Sequence, residues 1–130
     1  MKTLASHMNE ALKIGKNLSK FSAYSCQPKT KEELMSIIKE RMKINGDDCD
    51  LNDINVSLID DMSGLFIRSS FNGNISDWDV SKVEDMAWMF NYSKFNQDIS
   101  NWKINKDCAN NDMFYGCPIK EKFKPKALQK

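Results

Sequence analysis

The sequence predicts an α/β solenoid of about three 24-residue strand-helix coils behind an N-terminal helical cap, on three observations. The first is a repeat. Leu51, Ile54, Val56, Ile59, Met62, Leu65, Phe66 and Phe71 are matched 24 positions later by Ile75, Trp78, Val80, Val83, Met86, Met89, Phe90 and Phe95. A third, decaying copy keeps Ile99, Trp102, Ile104, Met113, Phe114 and Ile119, with Asp107 and Asn110 at the Ile59/Val83 and Met62/Met86 positions. A fixed period of this size means one supersecondary unit per repeat, which stacks on its neighbours because it cannot bury its apolar face alone. The second observation is the period-two and then helical apolar spacing inside each copy, and the third is a capped amphipathic segment ahead of the first copy.

Taken in chain order, Leu4, Met8 and Leu12, joined by Ala5, Ala11 and Ile14, predict a short first helix that stops at Gly15. Lys20 to Pro28 predicts an extended connector, since proline disfavours helix in the residue before it. Thr30-Lys31-Glu32-Glu33 is a capping box, and Leu34, Ile37, Ile38 and Met42, with the stem of Arg41, continue it as an apolar stripe ending at Asn45-Gly46. This second helix is expected to cover the open end of the stack. Within the repeats, Ile54-Asn55-Val56, Trp78-Asp79-Val80 and Trp102-Lys103-Ile104 predict short parallel strands, and Ile59 to Phe66 and Val83 to Phe90 predict short helices. Phe71-Asn72-Gly73 and Phe95-Asn96-Gln97 start the return loops. The organisation is a helical cap over 1–48, repeats over 49–119 and a basic tail over 120–130.

Charge divides along the same boundaries. Met1 to Asn45 carries a net +5, Gly46 to Cys117 a net −8 and Pro118 to Lys130 a net +4. An acidic repeat block argues against nucleic acid on the repeats, because phosphate binding needs clustered Lys and Arg there. No stretch is long and apolar enough for a membrane span, and the start of the chain has no evident signal peptide, so a cytoplasmic location is expected, with a surface or extracellular one as the alternative. Cys26, Cys49, Cys108 and Cys117 have no Cys-x-x-Cys spacing and no companion histidines, which argues for packed thiols over a zinc site.

From Phe71 to Phe90 the chain reads Phe-Asn-Gly-Asn-Ile-Ser-Asp-Trp-Asp-Val-Ser-Lys-Val-Glu-Asp-Met-Ala-Trp-Met-Phe, followed by Phe-Asn-Gln-Asp-Ile-Ser-Asn-Trp from Phe95 to Trp102. This pattern resembles the BspA-like repeat, a leucine-rich-repeat relative also found in mycoplasma lipoprotein-associated domains of unknown function. The resemblance implies a short right-handed leucine-rich-repeat-like stack, used for binding other proteins and often found on microbial surfaces. It implies no catalytic residues.

No catalytic or cofactor constellation is legible. His7 is the single histidine and lies far from the repeats. Asp77-x-Asp79-x-Ser81 opens like a calcium loop, but Lys82 and Trp88 stand where that loop needs Gly and a bidentate Glu, so no metal site is assigned. Trp78 and Trp102 recur in register with Ile54 and read as core. Trp88, whose counterparts are Gly64 and Asp112, reads either as an exposed interface anchor or as a ring packed against a neighbouring coil. The outward row between the strand core residues, Asp53, Asn55, Asp77, Asp79, Asn101 and Lys103, completes the candidate partner-binding set. The reading is therefore a non-enzymatic protein-protein interaction module, an intracellular adaptor or inhibitor of bacterial or phage origin facing a basic protein. A surface adhesion or host-interaction protein is the alternative, and self-association through the first helix is a further expectation.

Overall fold

A computed structural model describes residues 24–130. The first predicted helix, with Leu4, Met8, Leu12 and His7, lies outside the described residues. The second forms as α1, Lys31–Asn45. The Thr30 hydroxyl accepts from the Glu33 amide at 3.1 Å, while the Glu33 carboxylate accepts from the Lys29 amide, one residue earlier than an ideal capping box. At the far end Gly46 takes φ 94° and donates to the Met42 carbonyl, ending the helix. Leu34, Ile38 and Arg41 are its buried face, one stripe at helical spacing laid on the first coil.

The repeat block departs from the predicted architecture. Among the described residues α1 is the only α-helix, and the extended structure is limited to isolated parallel bridges, Cys26 with Ile54 and Asp61 with Asp85 with Ala109. The chain does not form an α/β solenoid of strand-helix coils. Each copy is instead a run of turns, and the hydrogen bonds show why.

Where helices were expected, alternate amides leave the local chain. Met62, Gly64, Phe66 and Arg68 donate to the carbonyls of Asp85, Ala87, Met89 and Asn91, and Met86, Trp88, Phe90 and Tyr92 donate to Ala109, Asn111, Met113 and Tyr115. Every one of these bonds joins residues 23 apart. The amides between them close i→i−3 turns, Leu65 onto Met62, Ile67 onto Gly64 and Ser69 onto Phe66. Two positions per copy have left-handed backbone, Gly64/Trp88/Asp112 and Arg68/Tyr92/Gly116. A right-handed helix admits neither feature. Consecutive turns place apolar residues three and four apart, so their spacing imitates a helix.

Where strands were expected, the amides of Ile54, Trp78 and Trp102 are consumed by turns closing onto Leu51, Ile75 and Ile99, and are unavailable for a ladder. Beside backbone bonds such as the Leu51 amide to the Asn74 carbonyl, side chains tie the coils on this side. The indole N–H of Trp78 donates to the Leu51 carbonyl at 2.9 Å, and that of Trp102 to the Ile75 carbonyl at 3.0 Å.

The core runs through the stack as columns of rings. Phe66, Phe90 and Phe114 lie at centroid separations of 5.4 and 5.6 Å, Phe71 and Phe95 at 6.2 Å, and Trp78 and Trp102 at 6.4 Å. Leu51, Ile54, Val56, Ile59, Met62, Ile75, Val80, Val83, Met86, Met89 and Ile99 fill the space between them and are buried. A second column is polar. Asn72 accepts from the Asn96 amide at 2.8 Å, and Asn96 accepts from the Lys120 amide at 3.0 Å, so the repeated asparagines hold successive return loops in register.

The third copy differs from its expected alignment by one residue. Its turn closes from Cys108 onto Asn105, where the earlier copies close Ile59 onto Val56 and Val83 onto Val80. Cys108 is therefore the buried residue at this step of the third copy, and Asp107 stays at the surface. The tail also packs. Ile99 donates to the Phe123 carbonyl, two 3-10 turns span Glu121–Phe123 and Lys126–Leu128, and Phe123 and Leu128 lie against the core. The stack is thus covered by α1 at one end and by residues 119–130 at the other.

Candidate functional site

Of the row assigned to partner binding, Asp53 is placed elsewhere. Its carboxylate accepts both terminal nitrogens of Arg41 at 2.9 Å and a hydrogen bond from the Ser25 hydroxyl, while Arg41 also donates to the Asp50 carbonyl. The Arg41 side chain is 6% exposed and that of Asp53 16%. Burial works against the Arg41 charge, but the hydrogen bonds and charge of Asp53 outweigh it and hold the guanidinium above its ordinary pKa. Asp53 is a clamp that fastens α1 and the Ser25 segment to the first coil. Asn55 is partly covered, since residues 25–27 run alongside it and its amide donates to the Cys26 carbonyl.

Asp77, Asp79, Asn101 and Lys103 remain exposed and in register on the second and third coils. Asp79 accepts from both the amide and the hydroxyl of Ser81, at 3.1 and 2.7 Å. Those two bonds depress its pKa, as the equivalent pair from Ser100 depresses that of Asp98. The same motif recurs from Ser63 to Asp61, where it outweighs burial with help from Lys31 and again lowers the pKa. These carboxylates thus carry turn geometry and surface charge together.

Trp88 lies on the other side of the stack, half-exposed at φ 58°. Its column neighbours are Gly64 and Asp112. Around the same segment Ile67, Tyr92 and Tyr115 are also exposed, with Tyr92 at φ 53°. The Arg68 guanidinium stands 4.9 Å over the Tyr92 ring, and Tyr115 meets Tyr92 edge-on at 5.4 Å. Bulky side chains in left-handed backbone cost about 1–2 kcal/mol each. Tyr92 recovers some of this through its two neighbours, whereas among the described residues no ring is stacked on Trp88. The exposure of Trp88 was legible from its mismatched column. Tyr92, Tyr115 and Arg68 were missed, although the Arg68/Tyr92/Gly116 column carried the same signal.

The remaining chemistry is quiet. Among the described residues there is no histidine, and no group of three or more Cys, Asp or Glu is placed to hold a metal ion. Burial pushes the thiols of Cys26, Cys49 and Cys108 up, which favours the protonated, unreactive form. No helix among the described residues is long and apolar enough to cross a membrane.

The described residues thus form a repeated, turn-rich stack closed by α1 at one end. The family described as "Mycoplasma protein of unknown function, DUF285" matches residues 32–125, from the first turn of α1 to the tail, and the chain belongs to that family. Comparison with curated proteins and with solved structures finds no match.

Proposed function

We propose that the protein is a non-enzymatic protein-protein interaction module, acting as an adaptor or inhibitor, with Trp88 as its anchor. The observation that carries this reading is a half-exposed indole kept on left-handed backbone, where the neighbouring copies hold glycine and aspartate. Glycine there would relieve strain, so folding alone does not account for the tryptophan. Tryptophan, tyrosine and arginine are the side chains that dominate protein interfaces, and Tyr92, four residues on from Trp88, is met by Tyr115 and Arg68. The exposed Asp77 and Asp79 add a separate acidic patch suited to a basic protein. Kinship with the BspA-like repeat is supported by the recurring Phe-Asn and Ile-Ser-x-Trp motifs at Phe71, Ile75, Phe95 and Ile99.

The experiment is affinity capture from lysate of the source cell, with wild type, Trp88→Gly and Asp77→Lys/Asp79→Lys as parallel baits. A partner held by wild type and lost from Trp88→Gly is the expected result, and loss from the double variant as well would extend the site to the acidic patch. Identical partners on all three baits would refute both assignments.

A further inference from the structure

A groove of about 610 Å³ runs between α1 and the first coil. Its apolar floor is Met35, Ile38, Met42, Leu65 and Phe66. Lys31 donates to the Ser63 carbonyl at one end and Asn72 donates to the Asp47 carbonyl at the other, so the 63–72 segment runs beside α1 in the same direction. Charge follows that direction. Glu32 lines the end near the start of α1, while Lys39 and Arg68 lie further along. No carboxylate pairs with Lys39 or Arg68 among the described residues. Met35, one of these lining residues, is 43% exposed and presents an unbranched thioether to the groove's open side.

We infer that this groove docks an amphipathic α-helix of a partner protein, lying antiparallel to α1 with an acidic residue in its first turn against Lys39 and Arg68. Three features select this occupant. The floor runs alongside a helix and is rich in methionine, which suits a helix laid apolar face down. Lys39 and Arg68, the latter also lying over the Tyr92 ring and neither paired with a carboxylate among the described residues, call for carboxylates at one end, and Glu32 calls for a cation at the other. A helix favours acidic residues in its first turn and basic ones in its last, so the partner's own dipole selects the antiparallel direction. The inference rests on the protein-binding reading but not on Trp88 or the Asp77–Asp79 patch, which lie outside the groove.

The test is fluorescence anisotropy on the full chain. The probe is a labelled synthetic peptide as long as α1, with Leu at i, i+4, i+7 and i+11, Glu in the first turn and Lys in the last. Saturable binding is expected. Met35→Glu should weaken it about tenfold or more, a loss of central apolar contact. Lys39→Glu and Arg68→Asn should each weaken it about threefold, as rim charges do, with asparagine chosen because it tolerates the φ of 55°. Trp88→Gly should change nothing, and circular dichroism checks that each variant is folded. Absence of saturable binding to the full chain overturns the inference, including the case in which residues 1–23 fill the groove. So does equal binding by a peptide with its Glu and Lys exchanged. Binding lost in Trp88→Gly but kept in Met35→Glu would place the peptide on the aromatic face, refuting the groove while leaving the proposed function standing.

Discussion

On the side of the stack that holds Met62 to Ser69 and its counterparts, backbone amides and carbonyls join one coil to the next. On the side that holds Leu51 to Val56, backbone bonds between coils are fewer, such as the Leu51 amide to the Asn74 carbonyl, and side chains share that work, through the Trp78 and Trp102 indoles and the contact of Asn52 Oδ1 with the Asp77 amide. The difference decides which residues are free to vary. Where the backbone supplies the rungs, any side chain is tolerated on the outside, and the column Gly64, Trp88, Asp112 shows how far this goes. Where side chains share the work, variation is narrower, and Trp78 recurs as Trp102, with Ile54 at the same position of the first coil. The backbone-joined side is therefore the one able to carry a binding residue at little structural cost.

The largest expected effect comes from breaking the side-chain rungs. Trp78→Ala should cost about 3–5 kcal/mol, by removing a buried ring and leaving the Leu51 carbonyl without its donor. Unaltered unfolding in urea would contradict the division between the two sides. Next comes the clamp that joins α1 to the side-chain side. Asp53→Ala leaves the buried Arg41 charge uncompensated and should cost about 3 kcal/mol, measured in the same way. Wild-type stability in that variant would return Asp53 to the surface row.

A smaller effect is set by pH. Asp61, Asp79 and Asp98 have pKa values below the ordinary carboxylate range when folded. A depressed folded pKa contributes stability that is complete above the unfolded value, about 3.9, and is lost as pH falls through the folded one. Unfolding free energy should therefore decline below about pH 4, and replacing Ser63, Ser81 and Ser100 with alanine should flatten that decline. An unchanged slope would show that the hydroxyls do not hold the turns. The smallest effects fall on the backbone-joined side and the exposed patch. Trp88→Gly should leave stability within about 1 kcal/mol of wild type or raise it, and Asp79→Lys should leave it nearly unaltered, both read from thermal melts. A loss in Trp88→Gly as large as in Trp78→Ala would mean that the indole is part of the structure and not a surface anchor.

Much of this was written in the chain. The period, the buried columns and α1 are legible because burial repeats at fixed spacing and because Thr30 to Glu33 caps a helix wherever it occurs. The path of the chain within each copy is not. A run of i→i−3 turns spaces Ile59, Met62, Leu65 and Phe66 as a helix would, and only the partner 23 residues away distinguishes the two. The one-residue slip that buries Cys108 in place of Asp107 is likewise invisible to a strict 24-residue register. For the candidate set, the exposure of Trp88 could be read from its column, whereas Asp53 could not be excluded without seeing Arg41 reach it from α1. The groove needed the relative placement of α1 and the first coil, which no local pattern encodes.

The most direct test of the stack is scalar coupling across hydrogen bonds in the isotopically labelled full chain. Coupling from the Phe66 amide nitrogen to the Met89 carbonyl carbon, and from Phe90 to Met113, is the predicted result. Coupling from Phe66 to Met62 would signal an ordinary helical turn and contradict the backbone rungs on which the contrast between the two sides depends.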